Sequence, residues 1–164
     1  VLTTSASSVT FSGLGAYSDY KHLQVRMVGR TDRANQMDSG TFIRLNGVSS
    51  SSYAYHHLYG DGSGPYSSSA SSQTSMVMPT MAAANSGTSV YGLAIIDILD
   101  YAATTKNTTI RILNGTFTTS QRTIALTSGL FNSTAAITSV SAHPQSGNNW
   151  VSGSRFSLYG IKGA

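Results

Sequence analysis

Residues 20–30 read YKHLQVRMVGR, and their alternation decides the fold class. Leu23, Val25 and Met27 fall on one face, Gln24 and Arg26 on the other. A period of two marks a half-buried strand, because successive side chains of an extended chain point to opposite sides. Residues 53–59 repeat the pattern, with Tyr53, Tyr55, His57 and Tyr59 sharing a face. Residues 41–45 form a further strand that stops at Asn46-Gly47, a strong turn signal. The most apolar segment, VYGLAIIDILDY at 90–101, is the candidate central strand, since its β-branched content and Gly92 favour a strand over a helix.

Short strands are also expected at 9–11, 110–113 (ending at Asn114-Gly115), 123–126, 136–140 and 155–161. About eight or nine strands separated by turn signals predict an all-β chain, an antiparallel β-sandwich of jelly-roll type. One domain over 9–164 is expected, preceded by a Ser/Thr-rich N-terminal arm at 1–8. Residues 60–75, GDGSGPYSSSASSQTS, are of low complexity and are expected to form a long mobile loop. The likeness of Ile43-Arg-Leu-Asn-Gly47 to Arg111-Ile-Leu-Asn-Gly115 reads as convergence of two strand ends and not as a repeat.

Composition supports this reading. Among 164 residues there are 47 Ser and Thr, 16 Gly, six Asp, no Glu and no Cys. Helical proteins fill exposed turns with Glu, Lys, Gln and Ala, so helical bundles are excluded. Without cysteine there are no disulfides, zinc–cysteine sites or thiol catalysis. The longest apolar stretch, 93–96, is broken by Asp97 and is far too short to span a membrane as a helix. No charged-then-apolar leader opens the sequence, so no secretory signal is expected, and Val1 fits a removed initiator or a piece of a longer chain.

The formal charge is +4, yet no Lys/Arg run resembles a nucleic-acid arm, and neither nucleic acid nor membrane is expected as a partner. Arg26, Arg30 and Arg44 can form a modest contact patch or simply a solvated strand face.

Catalytic signatures are missing. Absent glutamate removes the helix-borne zinc-protease motif and Glu-based acid/base schemes. There is no nucleophile elbow, phosphate loop or dinucleotide fingerprint. Asp97 and Asp100 differ by three positions and on a strand diverge, as do His56 and His57, while His22 and His143 stand alone. Asp61 lacks the carboxylate company a calcium cage wants. Three Asn-x-Ser/Thr matches, at Asn107, Asn114 and Asn132, arise readily by chance in so Ser/Thr-rich a chain. No catalytic residue, metal ligand or cofactor is therefore expected.

Nine tyrosines against one tryptophan are the nearest thing to a binding signal. Tyr53, Tyr55 and Tyr59 on one strand, with Tyr66 nearby, are candidates for core packing, for protein contact or for stacking on sugars.

The ending Gly153-Ser-Arg-Phe-Ser-Leu-Tyr-Gly-Ile-Lys162 resembles a recurring ending of tailed-bacteriophage virion structural proteins. Val9-Thr-Phe-Ser-Gly13, Tyr20-Lys-His-Leu-Gln-Val25, Ile43-Arg-Leu-Asn-Gly47, Ile96-Asp-Ile-Leu-Asp-Tyr101 with Lys106-Asn107, and Ser128-Gly-Leu-Phe131 to Ala136-Ile137 fit the same likeness, which spans most of 9–162. The resemblance implies a non-enzymatic virion protein, foremost a capsid cement or decoration protein on the outside of a phage head. Its implied partners are the major capsid protein or other virion proteins, with a homo-oligomer, a trimer by preference. The alternative is a head- or tail-fibre tip, or a carbohydrate-binding module for host glycans.

Overall fold

The computed structural model describes residues 1–78 and 80–163. Strands take up 52% of the chain; among the described residues no α-helix forms, and two single 3-10 turns lie at Leu14–Ala16 and Ala84–Ser86. In chain order the strands are β1 (Val9–Ser12), β2 (His22–Gly29), β3 (Met37–Asp38), β4 (Thr41–Leu45), β5 (Tyr53–Gly60), β6 (Pro65–Gln73), β7 (Met76–Met78), β8 (Met81–Ala82), β9 (Gly92–Leu99), β10 (Thr108–Phe117), β11 (Arg122–Phe131), β12 (Ser139–His143) and β13 (Arg155–Ile161). A seven-stranded antiparallel sheet runs β13–β2–β9–β10–β11–β5–β6, a four-stranded one β1–β12–β4–β7, and β3 pairs with β8 apart. Pairing is nested across the sandwich: β2 takes β13, β4 takes β12 and β5 takes β11. The expected β-sandwich is thus the fold.

One core lies between the sheets. Leu23, Val25 and Met27 of β2, with Ile96 and Ile98 of β9, face Ile43 and Leu45 of β4 and Met76 and Met78 of β7 in a single buried cluster. Trp150 is fully buried; its Nε1 donates to the Ala142 carbonyl at 3.1 Å, and its ring meets Phe156 edge-on. The Trp150 backbone also exchanges hydrogen bonds with Ala6, and Leu2 pairs with Gly153 and Ser154. The expected arm at 1–8 is therefore stitched to the body, because its backbone groups find partners in the 150–154 segment.

Three expectations are corrected. The loop expected at 60–75 is mostly the nine-residue strand β6, hydrogen-bonded to the edge of β5. Low complexity denies a segment a core but not a ladder: small Ser and Ala side chains suit a strand exposed on both faces. The hairpin is set at Asp61, whose Oδ1 accepts from Ser63 N (2.8 Å) and Ser63 Oγ (2.6 Å), while Gly62 takes φ +91°. Asn114-Gly115 is likewise no strand end. It lies inside β10, and the Asn114 amide, buried, donates to the Thr80 carbonyl at 2.9 Å. Asn46-Gly47 does turn, both residues having positive φ. The strand expected at 136–140 forms at Ser139–His143 instead.

Candidate binding surface

β11 reverses the usual alternation. Apart from Phe131 at its end, its buried inward residues Ala125, Thr127 and Gly129 are small, while Ile124, Leu126 and Leu130 point to solvent. The inside has no room for more: a Cβ at Gly129 would overlap the Met76 thioether that crosses from the other sheet. The inner wall is filled from across the sandwich, and the larger apolar side chains are left outside.

The register extends this into a band. One row across the outer face of the seven-stranded sheet is Arg26, Ile95, Leu113, Leu126 and Leu58. The next row, toward the Phe117 end of β10, is Val28, Leu93, Gly115, Ile124 and Gly60. Leu58, Leu93 and Leu113 stand 54%, 48% and 44% exposed, Ile124 63% and Phe117 67%. Gly60 and Gly115 leave depressions on either side of Ile124, opening hollows of about 680 and 540 Å³. Scattered surface leucines are ordinary, but a contiguous apolar face of this kind marks a contact site.

A polar row borders the band. Gln24 Nε2 donates to Asp97 Oδ1 at 2.8 Å and Arg111 Nη2 to Asp97 Oδ2 at 2.8 Å. Burial pushes the Asp97 carboxyl up, but the Gln24 amide and the Arg111 guanidinium outweigh it and hold it below the ordinary carboxylate range. Asp100 lies beyond the end of β9 at φ +48° and is held by Lys106 and His22. The two aspartates are thus committed to separate partners.

The candidate contact residues are dispersed. Arg26 lies on the outer face of the large sheet, with its guanidinium 5.3 Å from the Tyr159 ring centroid. Arg44 lies on the outer face of the small sheet, opposite Ser141. Arg30 is spent on structure, donating to the carbonyls of Ala83, Ala84 and Thr88. No common patch of the three exists, because β2 and β4 belong to opposite sheets. Tyr53 is core: it stacks on Phe131 at 4.9 Å, and its hydroxyl donates to the Val48 carbonyl and accepts from Leu45 N.

Tyr55 and Tyr59 are half-buried and flank the buried His57 ring, at centroid distances of 5.3 and 5.6 Å. These three, with Ser39, Ser68, Val77, Thr80 and Thr123, line a cleft of about 330 Å³. Burial, then neighbouring His56, pushes His57 below its ordinary value. Exposed Tyr66 stacks on Tyr59 at 5.2 Å across the hairpin.

Among the described residues no three His or Asp side chains gather as a metal site, and no helix is long and apolar enough to cross a membrane. No family model, curated protein or solved structure matches the chain. Function must be read from the surface itself.

The apolar outer face went unpredicted, yet two signals were present. The run at 90–101 is apolar on both faces, as in strands covered on both sides. In 122–131 every large aliphatic residue falls on one face, opposite Ala, Thr and Gly, and the one aromatic, Phe131, falls on the other.

Proposed function

We propose that this chain is a non-enzymatic structural subunit, a jelly-roll-type sandwich that works by assembly. The observation that carries the reading is the apolar band on the outer face of the seven-stranded sheet. Water on that face would cost roughly 25 cal/mol for each Å² left uncovered, and its leucines stand about half exposed in the single chain. Combined with the likeness to tailed-phage virion proteins, the role that fits best is a capsid cement or decoration protein at the virion surface. The partners are then the major capsid protein or other virion proteins and further copies of itself. Purified virions exposed to mild chaotrope should shed the protein and lose heat resistance, and adding it back should restore both. A shell equally stable without it would sink the cement role.

A second reading has its own support in the Tyr55–His57–Tyr59 cleft. Aromatic faces beside Ser and Thr hydroxyls suit a sugar ring, and the volume falls near the lower bound for ligand sites. A fibre tip recognising host glycans would bind on a glycan array and lose binding in Tyr59→Ala. Silence across host polysaccharides would end it.

A further inference from the structure

We propose that the outer face of the seven-stranded sheet is covered by a second copy of this chain, across a two-fold axis that runs perpendicular to the strands between the two apolar rows. The inference deepens the reading of that face as an assembly surface and names its occupant. Area is the first argument. The large apolar side chains that point outward in the two rows, with Phe117, include residues 44–67% exposed. Together they form a contiguous patch at the upper end of, or above, the roughly 300–600 Å² of the largest patch on a typical monomer. The bordering rows extend it toward the roughly 800 Å² per-partner share of a standard interface.

Shape is the second argument, and it fixes the axis. Turning the sheet over about a line between the rows sets each residue of one row on its neighbour two places along the same strand. Leu113 then lies over Gly115 of the other copy, and Leu58 over Gly60, so the leucine knobs meet the glycine hollows. Leu126 meets Ile124 and Ile95 meets Leu93, apolar on apolar. Gly115 is open toward solvent: a Cβ there would find only the Thr123 carbonyl, at 3.6 Å. The hollow is therefore on the surface and not already filled from within.

Charge is the third. Phe117 and Arg122 are cross-strand partners one row further out. The same rotation carries Phe117 over Arg111 and Arg122 over Ser128, and Arg26 meets Val28. No arginine falls directly on another; Arg122, whose guanidinium lies 5.6 Å from the Phe117 ring centroid, comes beside the other copy's Arg111, whose charge Asp97 balances. An axis parallel to β10 would stack Arg111 on its own copy, which like-charge repulsion disfavours. A head-to-tail contact lacks a complement, because among the described residues the exposed large apolar ones off this face, such as Val1 and Tyr17, form no comparable band.

The test is sedimentation velocity and light scattering on the purified chain with knob-and-hollow variants. Wild type should run at twice the 17.2 kDa chain mass. Gly115→Leu, which fills the hollow, should weaken association by about 30-fold or more, the effect of losing a central hot spot. Leu113→Ala should weaken it less. The double variant Leu113→Ala/Gly115→Leu exchanges knob and hollow across the axis and should recover dimer. Leu126→Asp, an outward position, gives the same reading if Gly115→Leu fails to fold. A monomer at high micromolar concentration, a trimeric mass, or a Gly115→Leu dimer of unchanged affinity would each overturn the proposal; the first would leave the face to a foreign protein. None of these readouts uses a virion. A dimer that does not bind a phage shell sinks the capsid role alone, and a monomer that does bind sinks the dimer alone.

Discussion

The outer faces of the two sheets obey opposite rules. On the four-stranded sheet, β12 turns Ser139, Ser141 and His143 outward, β1 adds Thr10 and Ser12, and among the described strand residues only Phe42 and Val77 interrupt a polar surface. This is the usual solvated side of an antiparallel sheet. On the seven-stranded sheet the same alternation delivers Leu93, Leu113, Leu126 and Leu58 to the outside. The difference shows that period two sorts side chains into faces without saying which face is the core. In β11 the choice falls to the opposite sheet, because Met76 occupies the space that a larger inward residue would need.

The comparison breaks hardest at Gly129. Gly129→Leu would drive a side chain into the Met76 thioether and should cost about 1–3 kcal/mol, as overpacked cores do, read as a lower urea midpoint. Next comes Thr127, fully buried with a hydroxyl that has no partner. Thr127→Val should stabilise the fold by about 1 kcal/mol or more by removing an unsatisfied group, seen as a higher melting temperature.

Acid should act next. Burial, reinforced by His56 at His57 and by Arg44 at His143, holds both imidazoles below their ordinary pKa in the folded chain. The unfolded chain therefore binds protons more readily below about pH 6.5. Stability should be full above that pH and decline as pH falls from it toward the depressed folded values. The melting temperature should drop across that window, and His57→Gln should flatten the drop; a flat or rising profile in wild type would contradict this. Smallest of all is the outer face in the isolated subunit. Leu126→Ser should shift monomer stability by only about 0.5 kcal/mol, measured by urea titration at a concentration too low for association.

Much of the fold was legible. Residues 41–45 and 155–161 became strands with the expected bounds, and the 20–30 alternation buried Leu23, Val25 and Met27 as read. Misreadings came where backbone pairing overruled local signals. A Ser-rich segment joined the sheet at the edge of β5, and Asn114-Gly115 stayed extended because β9 and β11 pair with both its sides. The contact residues were the least legible part. Charge and tyrosine content offered Arg30 and Tyr53 as contacts; the fold spends Arg30 on a carbonyl staple, and Tyr53 takes the core-packing role that the sequence also offered. The apolar face lay in the alternation itself, but its side depends on Met76, which is distant in sequence.

Side-chain footprinting tests the central claim most directly. Phe117 on the large sheet is 67% exposed in the single chain and Tyr17, away from that face, is 53% exposed. If the large sheet is a contact face, radical labelling of Phe117 and Leu126 should be suppressed relative to Tyr17 in concentrated solution and rise on dilution. Labelling of Phe117 in proportion to its exposure, unchanged by concentration, would contradict it.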